Sequence, residues 1–167
     1  MSKKNQTKKQ GGGGWPAHLS DRLRKLRSRI ADASFEALLV THAPDVRYLT
    51  DFPGEDSWAI VTAKAVHLIS DSRFDEQINQ SCPYVKKMIR KGAMADALAE
   101  LVGDLKIKSL GFQADHITVR GLETLQDKLT KGLFKNTHGW IVEQRAVKDA
   151  TELRAIRRAI ALHEQAY

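Results

Sequence analysis

Short apolar runs of strand length alternate along this chain with segments of helical period, and that alternation is the strongest constraint on its fold. Residues 37–41 (ALLVT), 58–62 (WAIVT), 65–69 (AVHLI), 84–89 and 109–112 (SLGF) have the length and composition of strands. The first run is apolar without alternation, as in a strand covered on both faces. Only Ala63 and Lys64 separate the second run from the third, so these two pair as a hairpin, although the turn lacks an Asn-Gly signature. A further strand is expected within 133–142, centred on 140–142. Helices are predicted over 20–33 with Ser20 as N-cap, over 72–81, 94–105 and 118–129, and from Asp149 to the end. Leu19, Leu23, Leu26 and Ile30 form the apolar stripe of the first. Val119, Leu122, Leu125 and Leu129 face inward on the fourth. Asp149 and Glu152 have the spacing of a capping box, and Leu153, Ile156 and Ile160 line the last helix. The fold class that follows is α/β, a mixed β-sheet flanked by helices.

At 167 residues, 42% apolar and 28% charged, the chain suffices for one domain with its own core. The composition excludes a collagen-like or mainly disordered chain. The single cysteine, Cys82, excludes an internal disulfide and a CxxC metal site, and points to a reducing cytoplasmic setting. No apolar run approaches the roughly 20 residues of a membrane-spanning helix. Glycines 11–14 stand where a signal peptide needs an apolar segment. The net charge of +7 is local: residues 1–30 hold nine basic residues against one acid, Asp21, and the rest is nearly neutral. Residues 1–18 read as a disordered, basic, glycine-rich tail. The basic face of the first helix reads as solvated surface, because no aromatic residues interleave to stack on bases. Neither a membrane nor a nucleic acid is an expected partner.

Familiar catalytic signatures are absent. The six histidines, at 18, 42, 67, 116, 138 and 163, show no HExxH spacing, and there is no GxSxG, P-loop or GxGxxG. Cys82, before Pro83, reads as a structural thiol. His67 reads as a packed strand residue and His138, before Gly139, as a turn residue.

The segment from Thr41 to Trp58 (THAPDVRYLTDFPGEDSW) concentrates acids, an arginine and aromatics after the first buried strand. Loops beyond strand C-termini are where α/β sheets gather ligand contacts. The alternative is that Tyr48, Leu49 and Phe52 are core and the acids only solvate a loop.

Residues 38–58 resemble the first signature of the creatinase/prolidase-type N-terminal domain, found in Xaa-Pro aminopeptidases and Xaa-Pro dipeptidases. In that family a buried strand runs into Asn-hydrophobic-Arg-Tyr-Leu-Thr-Gly-Phe. Asp45 stands here for the Asn and Asp51 for the Gly, and Glu55 stands where a small residue is frequent. Three further matches keep the family order. Asp71-Ser72-Arg73-Phe74 with Gln77 is similar to its Asp-x-Arg-Tyr-x-x-Gln. Leu110-Gly111-Phe112 with Asp115-His116-Ile117-Thr118 is similar to its Gly-containing stretch. Arg145-Ala146-Val147-Lys148-Asp149 with Glu152-Leu153 is similar to its junction helix.

The resemblance implies a ribonuclease-H-like arrangement over 19–148 and a linking helix over 149–167 that opens a pita-bread catalytic domain. That second domain supplies two aspartates, one histidine and two glutamates to a pair of divalent metals, manganese, cobalt or zinc. None of these ligands is assignable here, so no catalytic residue, metal site or cofactor is expected within the chain itself. A nuclease reading of the fold, with Asp45, Asp51, Glu55, Asp56 and Asp71 as acidic candidates, is set aside because fold alone does not carry function. The implied function is that of a non-catalytic N-terminal domain of a metal-dependent Xaa-Pro peptidase. It would shape the substrate entrance and bring subunits together. The alternative is a stand-alone binding module of the same fold. Implied partners are the chain's own pita-bread domain, a second subunit and proline-containing peptides. His42, Arg47, Phe52 and Trp58 are the residues expected near such a peptide, with Arg47 as carboxylate partner and Tyr48 and Leu49 in the core.

Overall fold

The computed structural model describes residues 14–130 and 133–166. The tail expected over 1–18 lies, up to residue 13, outside the described residues. Helix α1 (Ala17–Asp32) takes in residues 17 and 18. Then follow β1 (Ala37–Val40), α2 (Ala43–Thr50), β2 (Trp58–Thr62) and β3 (Val66–Ser70). A 3-10 turn (Ser72–Phe74) leads into α3 (Asp75–Ser81), β4 (Lys86–Ile89), α4 (Met94–Asp104) and β5 (Leu110–Gln113). The chain continues through α5 (Val119–Lys128), β6 (Phe134–Thr137), α6 (Trp140–Ala146) and α7 (Ala150–Gln165).

The strands form one mixed sheet in the order β4-β3-β2-β1-β5-β6. The hairpin is real: β2 and β3 pair antiparallel, as do β1 and β2. The pairs β1–β5, β5–β6 and β3–β4 are parallel. Both faces are covered, which is why β1 carries no polar residue. Successive side chains of a strand point to opposite faces. Leu38 and Val40 join the layer under α1, α2, α3 and α6, whereas Ala37 and Leu39 join the layer under α4 and α5. In α1 the stripe of Leu19, Leu23, Leu26 and Ile30 is buried as the spacing predicts.

Four expectations are corrected. The run at 140–142 is helix α6, and the strand is Phe134–Thr137. Gly139 separates them with φ +66°, a conformation glycine adopts without steric cost, and so brief an apolar run carries too little period to distinguish the two states. Ser20 is not the N-cap of α1: Pro16 occupies that position and Ser20 lies inside the helix, which begins at Ala17. Residues 43–50 form helix α2 rather than loop. Pro44 lies in its first turn, where a missing N–H costs nothing, and Val46, Leu49 and Thr50 are buried. Val119 is exposed at the first position of α5 instead of facing inward.

Asp51 ends α2 in the left-handed region at φ 54°, its N–H bonding the Arg47 carbonyl at 2.8 Å. This is a position that favours glycine, and Asp tolerates it through its short polar side chain. Here the carboxylate also meets His18 Nε2 at 3.0 Å.

His67 on β3 is buried, and burial, with Lys86 nearby, pushes its imidazole below the ordinary value of 6.5. A depressed imidazole means the unfolded chain binds the proton more readily, so stability is present above 6.5 and falls as the pH drops below it. Thermal unfolding between pH 7.5 and 5 should therefore show a falling Tm, and His67→Gln should flatten that slope.

Candidate functional site

Three parallel strands, β1, β5 and β6, end together, and a histidine follows each: His42, His116 and His138. Gln113, the last residue of β5, organises the first two loops. Its Oε1 accepts the backbone N–H of Thr41 at 3.0 Å and of His42 at 3.2 Å. Its Nε2 therefore faces Asp45 and donates to Oδ2 at 2.6 Å. Asp45 is 0% exposed, and Arg145 Nη1 donates to its Oδ1 at 2.8 Å. A buried carboxylate needs such partners, because desolvating an unpaired charge is costly. The His42 and His116 rings stack in parallel, 3.8 Å between centroids and 4° apart, beside this carboxylate.

The third loop is tied separately. Asp115 Oδ2 accepts the Gly139 N–H at 2.9 Å, and Oδ1 lies 3.3 Å from His138 Nδ1. The Gly139 N–H, then His138, hold the Asp115 carboxyl below its ordinary value.

A second constellation joins α1 to the start of α7. Arg22 is 6% exposed. Its Nη1 donates to the Tyr48 carbonyl at 2.7 Å, and Nε and Nη2 donate to Asp149 Oδ2 at 2.9 and 2.6 Å. Its guanidinium lies 4.1 Å from the centroid of the Tyr48 ring. Asp149 caps α7 in the capping box read from the sequence. Burial alone would raise the Asp149 carboxyl, but the Glu152 N–H and Arg22 outweigh it and hold it low. Between α1, α2 and α7 runs an open groove of about 370 Å³, with His18, Arg47, Asp51 and Arg145 on its walls.

The four residues expected near a peptide are not gathered into one site. Arg47 projects from α2 into the groove and also borders a smaller cleft of about 180 Å³ with Pro53 and Glu55. Among the described residues no side-chain hydrogen bond or ion pair engages it. His42 lies half-buried at the N-terminal end of α2. Trp58 opens β2 and packs partly buried on the second core layer. Phe52 is corrected: it is 0% exposed, its ring edge-on to Phe74 at 5.7 Å, so it offers no face to a ligand. Gly54 permits this, since a Cβ there would collide with the Phe52 ring. Tyr48 and Leu49 are buried, as expected. Cys82 is fully buried, and desolvation pushes its thiol up to about 12, which suits an inert structural role.

Sequence reasoning missed the joint role of Asp45, Gln113, His116 and Arg145. Their separation along the chain hides it, and the visible signal was a histidine after each of three strands. Among the described residues, His42, Asp45 and His116 are the group whose ligand atoms lie within 4.8 Å of one another. With one carboxylate, this group does not fit the two-metal, five-ligand set implied by the family resemblance.

Residues 22–147 match the family profile described as Creatinase/Prolidase N-terminal domain. The chain is 22% identical over 146 residues to a Bacillus subtilis (strain 168) protein named "Uncharacterized peptidase YqhT", covering 87% of this chain and 41% of that one. Among solved structures it resembles a Xaa-Pro dipeptidase from Bacillus anthracis, with TM-score 0.76 and 24% identity, over 81% of this chain and 38% of that one. It also resembles the N-terminal domain of cytoplasmic peptidase PepQ from Mycobacterium tuberculosis H37Rv, with TM-score 0.66 and 27% identity, over 74% and 97% of the two chains. The mixed six-stranded sheet is the fold of these neighbours. The chain thus spans less than half of the first two relatives and nearly all of the third, and with the profile covering most of its length it belongs to the creatinase/prolidase N-terminal domain family.

Proposed function

We propose that this domain is the non-catalytic N-terminal part of a metal-dependent Xaa-Pro peptidase of the cytoplasm, where it shapes the substrate entrance and contributes to contacts between subunits. One observation carries the reading. Helix α7, beyond the matched domain, leaves Leu153, Ile156 and Ile160 between 41% and 51% exposed on one helical stripe. Such a stripe needs a partner to cover it, and a second domain continuing from α7 meets that need. Arg47 is the residue best suited to a peptide carboxylate, since a free guanidinium can make two parallel hydrogen bonds to one. His42 and Trp58 remain as secondary candidates.

Three measurements test this. An antibody to the domain should detect a polypeptide well over twice its length in the source cells. In that longer protein with manganese present, Arg47→Ala should raise KM for an Xaa-Pro peptide about tenfold, by loss of a charged hydrogen bond, with an unchanged Tm. The domain alone should release no N-terminal residue from such a peptide. A native product of only this length would favour a stand-alone binding module.

A further inference from the structure

We propose that His42, Asp45 and His116 form a mononuclear site for a divalent transition-metal ion of the zinc, cobalt or nickel class. The site lies within this domain and is independent of any metal pair in a second domain. One ligand atom of each residue lies within 4.8 Å of those of the others, and the atoms nearest the carboxylate are His42 Nδ1 and His116 Nε2, both facing Asp45 Oδ2. Two imidazole nitrogens with one carboxylate are a borderline donor set, suited to these ions over magnesium or calcium.

The spacing is close to what such an ion needs. Donors bound at about 2.0–2.2 Å around a tetrahedral ion lie roughly 3.3–3.6 Å apart. His42 Nδ1 is 3.2 Å from Asp45 Oδ2, and His116 Nε2 is 4.0 Å from it. His116 supplies the remaining adjustment. Its side chain is 25% exposed, on the irregular segment between β5 and α5. It must swing out of the parallel stack, because an imidazole lone pair lies in the plane of its ring.

The surroundings also fit. His42 Nδ1 is buried and has no hydrogen-bond partner, since its approach to Asp45 lacks hydrogen-bond alignment. Buried polar nitrogens are rarely left so, and an ion in this position satisfies it. Gln113 and Arg145 hold the carboxylate in place, as outer partners of metal ligands do. Oδ2, with one bond from Gln113, retains a lone pair for the ion. Arg145 is a positive charge beside the site, so binding is expected to be of micromolar rather than nanomolar strength.

The test is titration of the untagged chain with zinc chloride by calorimetry, and with cobalt chloride by visible absorption. One equivalent should bind, with the intense visible bands of low-coordinate cobalt. His116→Ala should weaken binding at least tenfold with an unchanged circular dichroism spectrum, because the residue is at the surface. His42→Ala should do the same. His138→Ala should bind as the parent does. The proposal is overturned if no saturable binding occurs below about 1 mM, a standard free energy near −4 kcal/mol. Unchanged binding in His116→Ala also overturns it, as does loss of binding in His138→Ala alone, which would place the ion on Asp115 and His138.

Discussion

Phe52→Ala should destabilise the domain by about 3–5 kcal/mol, the range for removing a fully buried aromatic side chain. The ring is 0% exposed and packs edge-on against Phe74, so truncation removes both apolar burial and an aromatic pair. Gly54 lies directly against it, and the cavity can collapse only as far as the segment after α2 can move. Equilibrium urea unfolding reads the effect as a lower midpoint at unchanged slope. A loss below about 1 kcal/mol would show that the segment after α2 repacks freely. The outcome separates scaffold from substrate contact. A residue that only touched peptide would change kinetics and leave the midpoint alone.

Arg22→Ala should cost about 2–4 kcal/mol, because it leaves buried hydrogen-bond partners without their donor. The Tyr48 carbonyl loses its charged donor, and Asp149 loses two of its bonds. Asp149 keeps the N–H groups of Thr151 and Glu152, so α7 retains its cap but not its anchor to α1. Hydrogen exchange should accordingly rise in the first turn of α7 more than in the central strands. Arg22→Lys should recover only part of the loss, since an ammonium cannot reproduce the forked donor geometry. The pair has an acid limb as well. Asp149 is held below its ordinary value in the folded state, so its contribution is present above the ordinary carboxylate range and disappears as the pH falls through the folded value. The difference in stability between parent and Arg22→Ala should narrow at low pH.

The layering of this domain is legible wherever periodicity is long enough to read. The stripe of α1, the unalternating β1, the β2–β3 hairpin and the capping box at Asp149 all depend on local spacing, and local spacing is a property of the chain. The ambiguous segments were those with one turn of apolar pattern. At 140–142 and at 43–50, a few residues fit strand, loop or helix equally well, and the choice fell to Gly139, Pro44 and the core they pack on.

Side chains distant in sequence were beyond that reach. Phe52 looks like a ligand contact when read among the acids and prolines of its segment, and only packing against Phe74 and Gly54 turns it inward. The cluster of His42, Asp45, Gln113, His116 and Arg145 spans 100 residues between Asp45 and Arg145. No local pattern records it. The order of residues determined the class of fold, the family signatures and the capping box at Asp149, because each rests on contacts within a few positions. The tertiary structure decided which histidines meet, which carboxylate is buried and that Arg47 borders an open groove. Those outcomes depend on which parallel strands become neighbours in the sheet, and that is settled by burying both faces of β1 at once.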